Sequence, residues 1–237
     1  MKKRVKFLVC IYLYCCFPIY SQTERNIIFD SLKTYTYEAV FVGSDGIKTV
    51  EKIILKPLGI PWKYQKSQTE YLVEYFPSDS ILNFMVDPTC KSSDIRYVKK
   101  STRSSSGAVE NNDFIWFHPF RSNQYIYTEV APFPEVKFDS LIVGNSWHSG
   151  KIYILSGWGK FKGNLSSQYY VIGNKKIEFR GEIIDNCWEI KGIGEHNKLG
   201  KSSVKYLFHE KYGFLELNYQ FFDGTLIEFK LKDIIQE

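Results

Sequence analysis

Along most of the chain, large apolar side chains recur at every second position. In KTYTYEAVFV, Tyr35, Tyr37, Ala39 and Phe41 share one side, and Thr34, Thr36 and Glu38 the other. A two-residue period marks a strand with one buried and one wet face. GSDG at 43–46 supplies a turn and IKTVEKIIL follows, so this region reads as a hairpin.

The C-terminal end repeats the pattern three times. In SVKYLFHEK, Val204, Tyr206 and Phe208 oppose Lys205 and His209. In FLELNYQFF, Leu215, Leu217, Tyr219 and Phe221 alternate with Glu216, Asn218 and Gln220. Asp223-Gly224 turns the chain, and in TLIEFKLK, Ile227, Phe229 and Leu231 alternate with Glu228, Lys230 and Lys232. This predicts a three-stranded antiparallel meander. QYYVI, KKIEFRGEII and CWEIKGI predict further strands of the same sheet, separated by Gly and Asn turns.

No long window carries a 3.6-residue apolar stripe. ERNIIFDSLK and PEVKFDSLIVG are the two candidate short helices, and Pro134 with the Val and Ile content leaves a strand open for the second. Residues 99–112, within KKSTRSSSGAVENND, read as a polar exposed loop. The expected fold is mainly β: a curved antiparallel sheet of hairpins and meander, as an open half-barrel or a sandwich, with at most one or two short helices. One domain over residues 22–237 is expected, with sub-segments 24–98 and 113–237 on either side of the loop.

The first residues follow a different pattern. Lys2, Lys3, Arg4 and Lys6 precede an apolar run from Phe7 to Phe17, broken by Pro18. That is the layout of a secretory signal peptide over residues 1–21, with cleavage between Ser21 and Gln22. The run is shorter than the about 20 residues needed to cross a bilayer, so no transmembrane segment is expected in the mature chain. Cys16 has Leu13 three residues before it, but Tyr14 and Cys15 fill positions that a lipobox keeps small, which argues against lipoprotein anchoring. The expected location is exported: periplasm, cell envelope or extracellular space.

Cleavage changes the charge. Of 31 basic and 26 acidic side chains, the leader carries four basic ones, leaving 27 against 26. A net charge near zero gives no argument for nucleic acid. A chain of this length buries about 70% of its unfolded surface and needs no metal or disulfide for stability. Cys90 and Cys187 are the two cysteines outside the leader. In an oxidising compartment they are candidates for a disulfide, worth roughly 4–5 kcal/mol in the chain-entropy model; two separate thiols are the alternative.

Candidate chemistry is sparse. His118, His148, His196 and His209 show no metal-ligand spacing and no HExxH. GNSWHSG (144–150) is not G-x-S-x-G, because Ser146 is followed by Trp147 and His148 and then by a strand, where a nucleophile elbow needs a helix. No spacing selects an acid pair from Asp30/Glu38, Asp185/Glu189 or Glu195/Glu210. The glycines of GWGKFKG and KGIGEHNKLG make no phosphate loop and read as turns or bulges. Trp62, Trp116, Trp147, Trp158 and Trp188 lack interleaved basic clusters and suit packing. No catalytic residue, metal site or cofactor is nominated.

From Pro134 onward, Leu141, Gly144 and Trp147, then Cys187-Trp188, Leu199-Gly200, Tyr206 and Phe208, Gly213-Phe214 and Asp223-Gly224 form a set. It resembles that of secreted or periplasmic β proteins of unknown function whose open half-barrel sheet is similar to lipoprotein carriers. The resemblance implies a curved sheet with a hydrophobic concavity and does not imply an activity. Three function classes follow. The first is a non-catalytic exported protein that binds a lipid or other apolar ligand, or an envelope component. The second is a secreted hydrolase whose site is scattered over strand ends, which requires histidines or carboxylates to converge. The third is a structural or assembly protein, favoured if the greasy face is sealed.

Overall fold

The computed structural model describes residues 27–77 and 101–237. The expected signal peptide over residues 1–21, the expected Ser21–Gln22 cleavage site and Cys90 lie outside them. The described residues form thirteen strands and three short 3-10 segments: β1 (Lys33–Val42), β2 (Lys48–Trp62), β3 (Gln65–Phe76), β4 (Arg103–Glu110), β5 (Phe114–Phe117), β6 (Glu135–Lys137), β7 (Ser146–His148), β8 (Ile152–Ile154), β9 (Gly163–Phe179), β10 (Glu182–His196), β11 (Gly200–His209), β12 (Gly213–Gln220) and β13 (Leu226–Gln236).

All thirteen belong to one antiparallel sheet, in the order β6-β5-β4-β3-β2-β1-β13-β12-β11-β10-β9-β7, with β8 beside β9. β1 pairs with β13 in the middle, and the chain between β6 and β7 joins the two outer edges. That connectivity dictates curvature. Eleven inter-strand steps would hold the edges of a flat sheet about 53 Å apart at about 4.8 Å each. The connection over residues 138–145 reaches about 30 Å at most. The sheet therefore curls, while β6 and β7 stay unpaired with each other, and the result is an open half-barrel.

The alternating residues point into the curl as expected. Tyr35, Tyr37, Ala39 and Phe41 are buried, as are Val204, Tyr206 and Phe208, Leu217 and Tyr219, and Ile227, Phe229 and Leu231. On the outside, ion pairs link neighbouring strands: Lys175 and Lys205 to Glu189 at 3.2 and 2.8 Å, Lys230 to Glu216 at 3.3 Å and Lys232 to Glu38 at 2.9 Å. Such exposed pairs contribute little individually, but they keep this face wet.

Two expectations need correction. Most of the stretch 99–112 is not an exposed loop: within it Arg103–Glu110 is β4, paired with both β3 and β5. Its inward residues are Ser106, Ala108 and Glu110, all buried and none large and apolar, so the alternation was invisible to a hydrophobicity reading. Gly107 lies against Trp62 and Gln68, which occupy the space where a Cβ would sit. The described part of the candidate helix ERNIIFDSLK is also not α-helical, while the strand left open for PEVKFDSLIVG is present in part. Residues 27–32 make bends and turns. In PEVKFDSLIVG, Glu135–Lys137 is strand β6 and Phe138–Ser140 one 3-10 turn. The longest helical piece among the described residues, the 3-10 segment Asn123–Val130, was not anticipated.

Candidate functional site

The concave face of a half-barrel is the natural place for a ligand. Here two pieces of the chain itself fill it. One is the strap from His118 to Glu135, which enters after β5 and includes the 3-10 segment. The other is the short approach to β1, residues 27–29.

The strap packs by aromatic contact. The Phe120 ring lies 5.1 Å from Tyr37 and 4.8 Å from Phe229. Tyr125 sits 5.2 Å from Phe229 and 6.1 Å from Tyr75, and Tyr127 5.3 Å from both Phe161 and Phe221. Between its ends the strap lies outside any ladder and still has main-chain polar groups to satisfy. The sheet answers with tyrosine, whose apolar ring and polar tip suit this task. Tyr71 OH donates to His118 O, Tyr169 OH to Phe133 O at 2.6 Å, and Tyr206 OH to Glu135 O. Tyr75 OH accepts from Ser122 N at 3.3 Å. From the strap, Tyr127 OH donates to Asp223 Oδ2 at 2.8 Å. Asp223 Oδ1 accepts from Thr225 N, and Gly224 follows at φ +88°, a left-handed conformation that glycine adopts without strain.

Residues 27–29 are held by one carboxylate. Glu110 is 7% exposed, and its oxygens accept from the amides of Ile27, Ile28 and Phe29 at 2.8–3.0 Å. Ile28 and Phe29 are buried beside Tyr35, Tyr37, Leu55, Phe117 and Phe214, and the void left there is about 10 Å³. That is room for at most one water.

The four histidines do not converge. His118 is at the strap's start, between Trp116 at 4.7 Å, Phe133 at 5.3 Å and Trp62 at 5.4 Å. Its Nδ1 accepts from Arg121, which also pairs with buried Glu129 at 3.0 Å. Burial and the guanidinium lower the His118 pKa to about 3, so the ring is neutral. His196, at the end of β10, is a loop anchor. Its Nδ1 accepts from Lys198 N and Leu199 N, which leaves Nε2 to donate to Phe161 O at 3.0 Å. His209 accepts from Lys211 N in the β11–β12 turn. His148 is exposed on β7, pointing outward. Among the described residues, no group of three His, Cys, Asp or Glu side chains is placed to hold a metal.

The other named residues are structural in placement. Ser146 and Trp147 lie on β7, with Trp147 stacked on Tyr169 at 5.3 Å. Trp147 Nε1 and Ser149 Oγ donate to the two oxygens of Glu135 at 3.0 and 2.7 Å, so this carboxylate clasps the sheet's two open edges. Burial raises the Glu135 pKa, opposed by those bonds and by Lys137. Of the acid pairs, Asp185 bonds Lys176 at 2.9 Å, while Glu189 and Glu38 join the ion pairs above. Cys187 is buried on β10, its Sγ 3.8 Å from Ile184 O. Glu110 and Glu135, which organise the interior, were missed by the sequence reading. A carboxylate at an inward strand position was the available signal.

No known family model matches the chain, and no curated protein matches it either. Solved structures with a similar overall fold do exist. A candidate exported protein with a YmcC-like fold from Bacteroides fragilis aligns at 9% identity over 87% of this chain and 97% of its own, with a TM-score of 0.41. A candidate lipoprotein from Parabacteroides distasonis aligns at 11% identity over 88% and 97%, with a TM-score of 0.45. A LolA superfamily protein from Nitrosomonas europaea aligns at 8% identity over 90% and 89%, with a TM-score of 0.31. By their descriptions these are an exported protein, a lipoprotein and a LolA superfamily protein, and none assigns an activity to this chain.

Proposed function

We propose that this is an exported, non-catalytic β module that engages an envelope component through its outer surface, its inside being filled by its own chain. The observation that supports this is the filled concave face: among the described residues, strap and approach segment pack against the inner wall, and the void beside Ile28, Phe29, Phe117 and Phe214 is about 10 Å³. A lipid chain needs far more room, since pockets for small ligands run to about 300 Å³ or more. Native mass spectrometry of the protein purified from a periplasm without detergent tests this. A clean protein mass is expected, and a reproducible lipid adduct released by solvent would overturn it.

A second reading has one observation in its favour. From Pro119 to Phe133 the strap is held by side-chain hydrogen bonds and packing, not by strand ladders, so this part can leave without unzipping the sheet. The protein then carries an apolar or amphipathic ligand in the space the strap vacates, and the adduct is its expected result.

A further inference from the structure

On the outer face, away from the strap, strands β7, β9, β10 and β11 form a shallow dish of about 360 Å³. Register builds it. His148 lies opposite Gln168, Gln168 opposite Ile193, and Glu195 opposite Lys201, while Tyr170 follows Gln168 on the same side of β9. Glu195 and Lys201 are direct cross-strand neighbours, a separation of about 5 Å between Cα atoms. Elsewhere on this face cross-strand neighbours close into ion pairs, Glu216 with the directly opposite Lys230 and Glu189 with the diagonal Lys205. Glu195 and Lys201 do not pair, and among the described residues none of the polar side chains of the dish bonds another.

We infer that this dish is a saccharide-binding site. The inference rests on the reading of a module that works through its outer surface, and it names the chemistry of the partner. A sugar hydroxyl both donates and accepts. The dish offers a pure acceptor in Glu195, a pure donor in Lys201, and groups of both kinds in Gln168 and His148. The Tyr170 ring and Ile193 supply apolar surface for the C–H face of a pyranose. Opposite charges side by side cancel, so the dish has no net field to concentrate an ion. It suits a neutral polyhydroxyl ligand whose hydroxyls can bridge the acid and the base.

The test is amide chemical-shift mapping of the full exported protein titrated with maltotetraose, cellotetraose and the N-acetylglucosamine tetrasaccharide. At least one sugar should shift the amides around Gln168, Tyr170, Ile193 and Glu195, leaving the strap unmoved. Glu195→Gln and Tyr170→Ala should each weaken that binding by about tenfold, with the urea midpoint unchanged. Should Tyr170→Ala fail to fold, Tyr170→Phe keeps the ring and should keep the binding. Silence from all three sugars, shifts elsewhere on the protein, or shifts indifferent to both substitutions would overturn the assignment. Such a failure leaves the closed interior intact, whereas a lipid adduct in native mass spectrometry strikes the interior and leaves the dish untouched.

Discussion

Trp147 and Glu135 tie together the two edges that the sheet leaves unpaired: the indole N–H donates to the buried carboxylate at 3.0 Å, from β7 to β6. Strands that never pair are thereby fastened by side chains. Trp147→Phe keeps an aromatic ring against Tyr169 and removes the donor. Leaving a buried acceptor short of a partner costs about 1–3 kcal/mol, and urea denaturation should show a loss of that size. An unchanged midpoint would mean the edges are held by the strap alone.

The tyrosine hydroxyls should differ in value according to their partners. Tyr169 OH donates to Phe133 O, whereas the Tyr219 hydroxyl is buried with no hydrogen-bond partner among the described residues. Tyr169→Phe should therefore destabilise by about 1 kcal/mol or more, and Tyr219→Phe should be neutral or stabilising. Equal effects in thermal or urea unfolding would contradict the anchoring role of Tyr169.

Glu110→Ala removes the acceptor for three successive amides. Hydrogen bonds to a charged group contribute about 1.5–3 kcal/mol. Hydrogen exchange at Ile28 and Phe29 should accelerate well beyond that of the β1 amides, as the approach segment comes free of the wall. If exchange rises uniformly, Glu110 supports global stability and not this segment.

Gly192 lies under the strap. A Cβ there would meet Pro132 Cβ and Tyr169 Cε1, each at 2.9 Å. Gly192→Ala should cost about 1–3 kcal/mol by overpacking, while Gly150→Ala, with open space around it, should cost little. The pair of unfolding curves reads how tightly strap and sheet are apposed.

Two buried groups should give pH effects of opposite sign. His118 has its pKa lowered to about 3 by burial first and Arg121 second. As pH falls below the ordinary value of about 6.5, the unfolded chain takes up that proton and the folded chain does not. Its contribution to stability is thus present above the ordinary value and lost as pH drops towards 3. Glu135 has its pKa raised, chiefly by burial. Its contribution is present below the ordinary carboxylate range and lost as pH rises through the folded value. Imidazole NMR should show His118 untitrated at about pH 5. Glu135→Gln should flatten the rising-pH part of the stability profile.

Period-2 alternation was sufficient to identify strands and faces in the sequence. Tyr35 to Phe41 and the final meander carry apolar residues, most of them large, at their inward positions, and burial of one face admits no other register. β4 escaped because Ser106, Ala108 and Glu110 do the same inward duty without any of them being both large and apolar. The strap escaped for a related reason. NQYIYTEV has no wet face, since most of it is covered by the wall, so no period marks it.

The sequence by itself determined that an antiparallel sheet with one apolar face would form, because local side-chain spacing decides which face meets water. Only the tertiary structure decided that β1 lies beside β13, that the sheet's edges come together at Glu135, and that the chain fills its own concavity. Those outcomes depend on contacts between residues far apart in the chain, such as Glu110 with Ile28 and Tyr206 with Glu135. No local pattern encodes such pairings. They are set by which closed packing satisfies the buried carboxylates, hydroxyls and main-chain groups together.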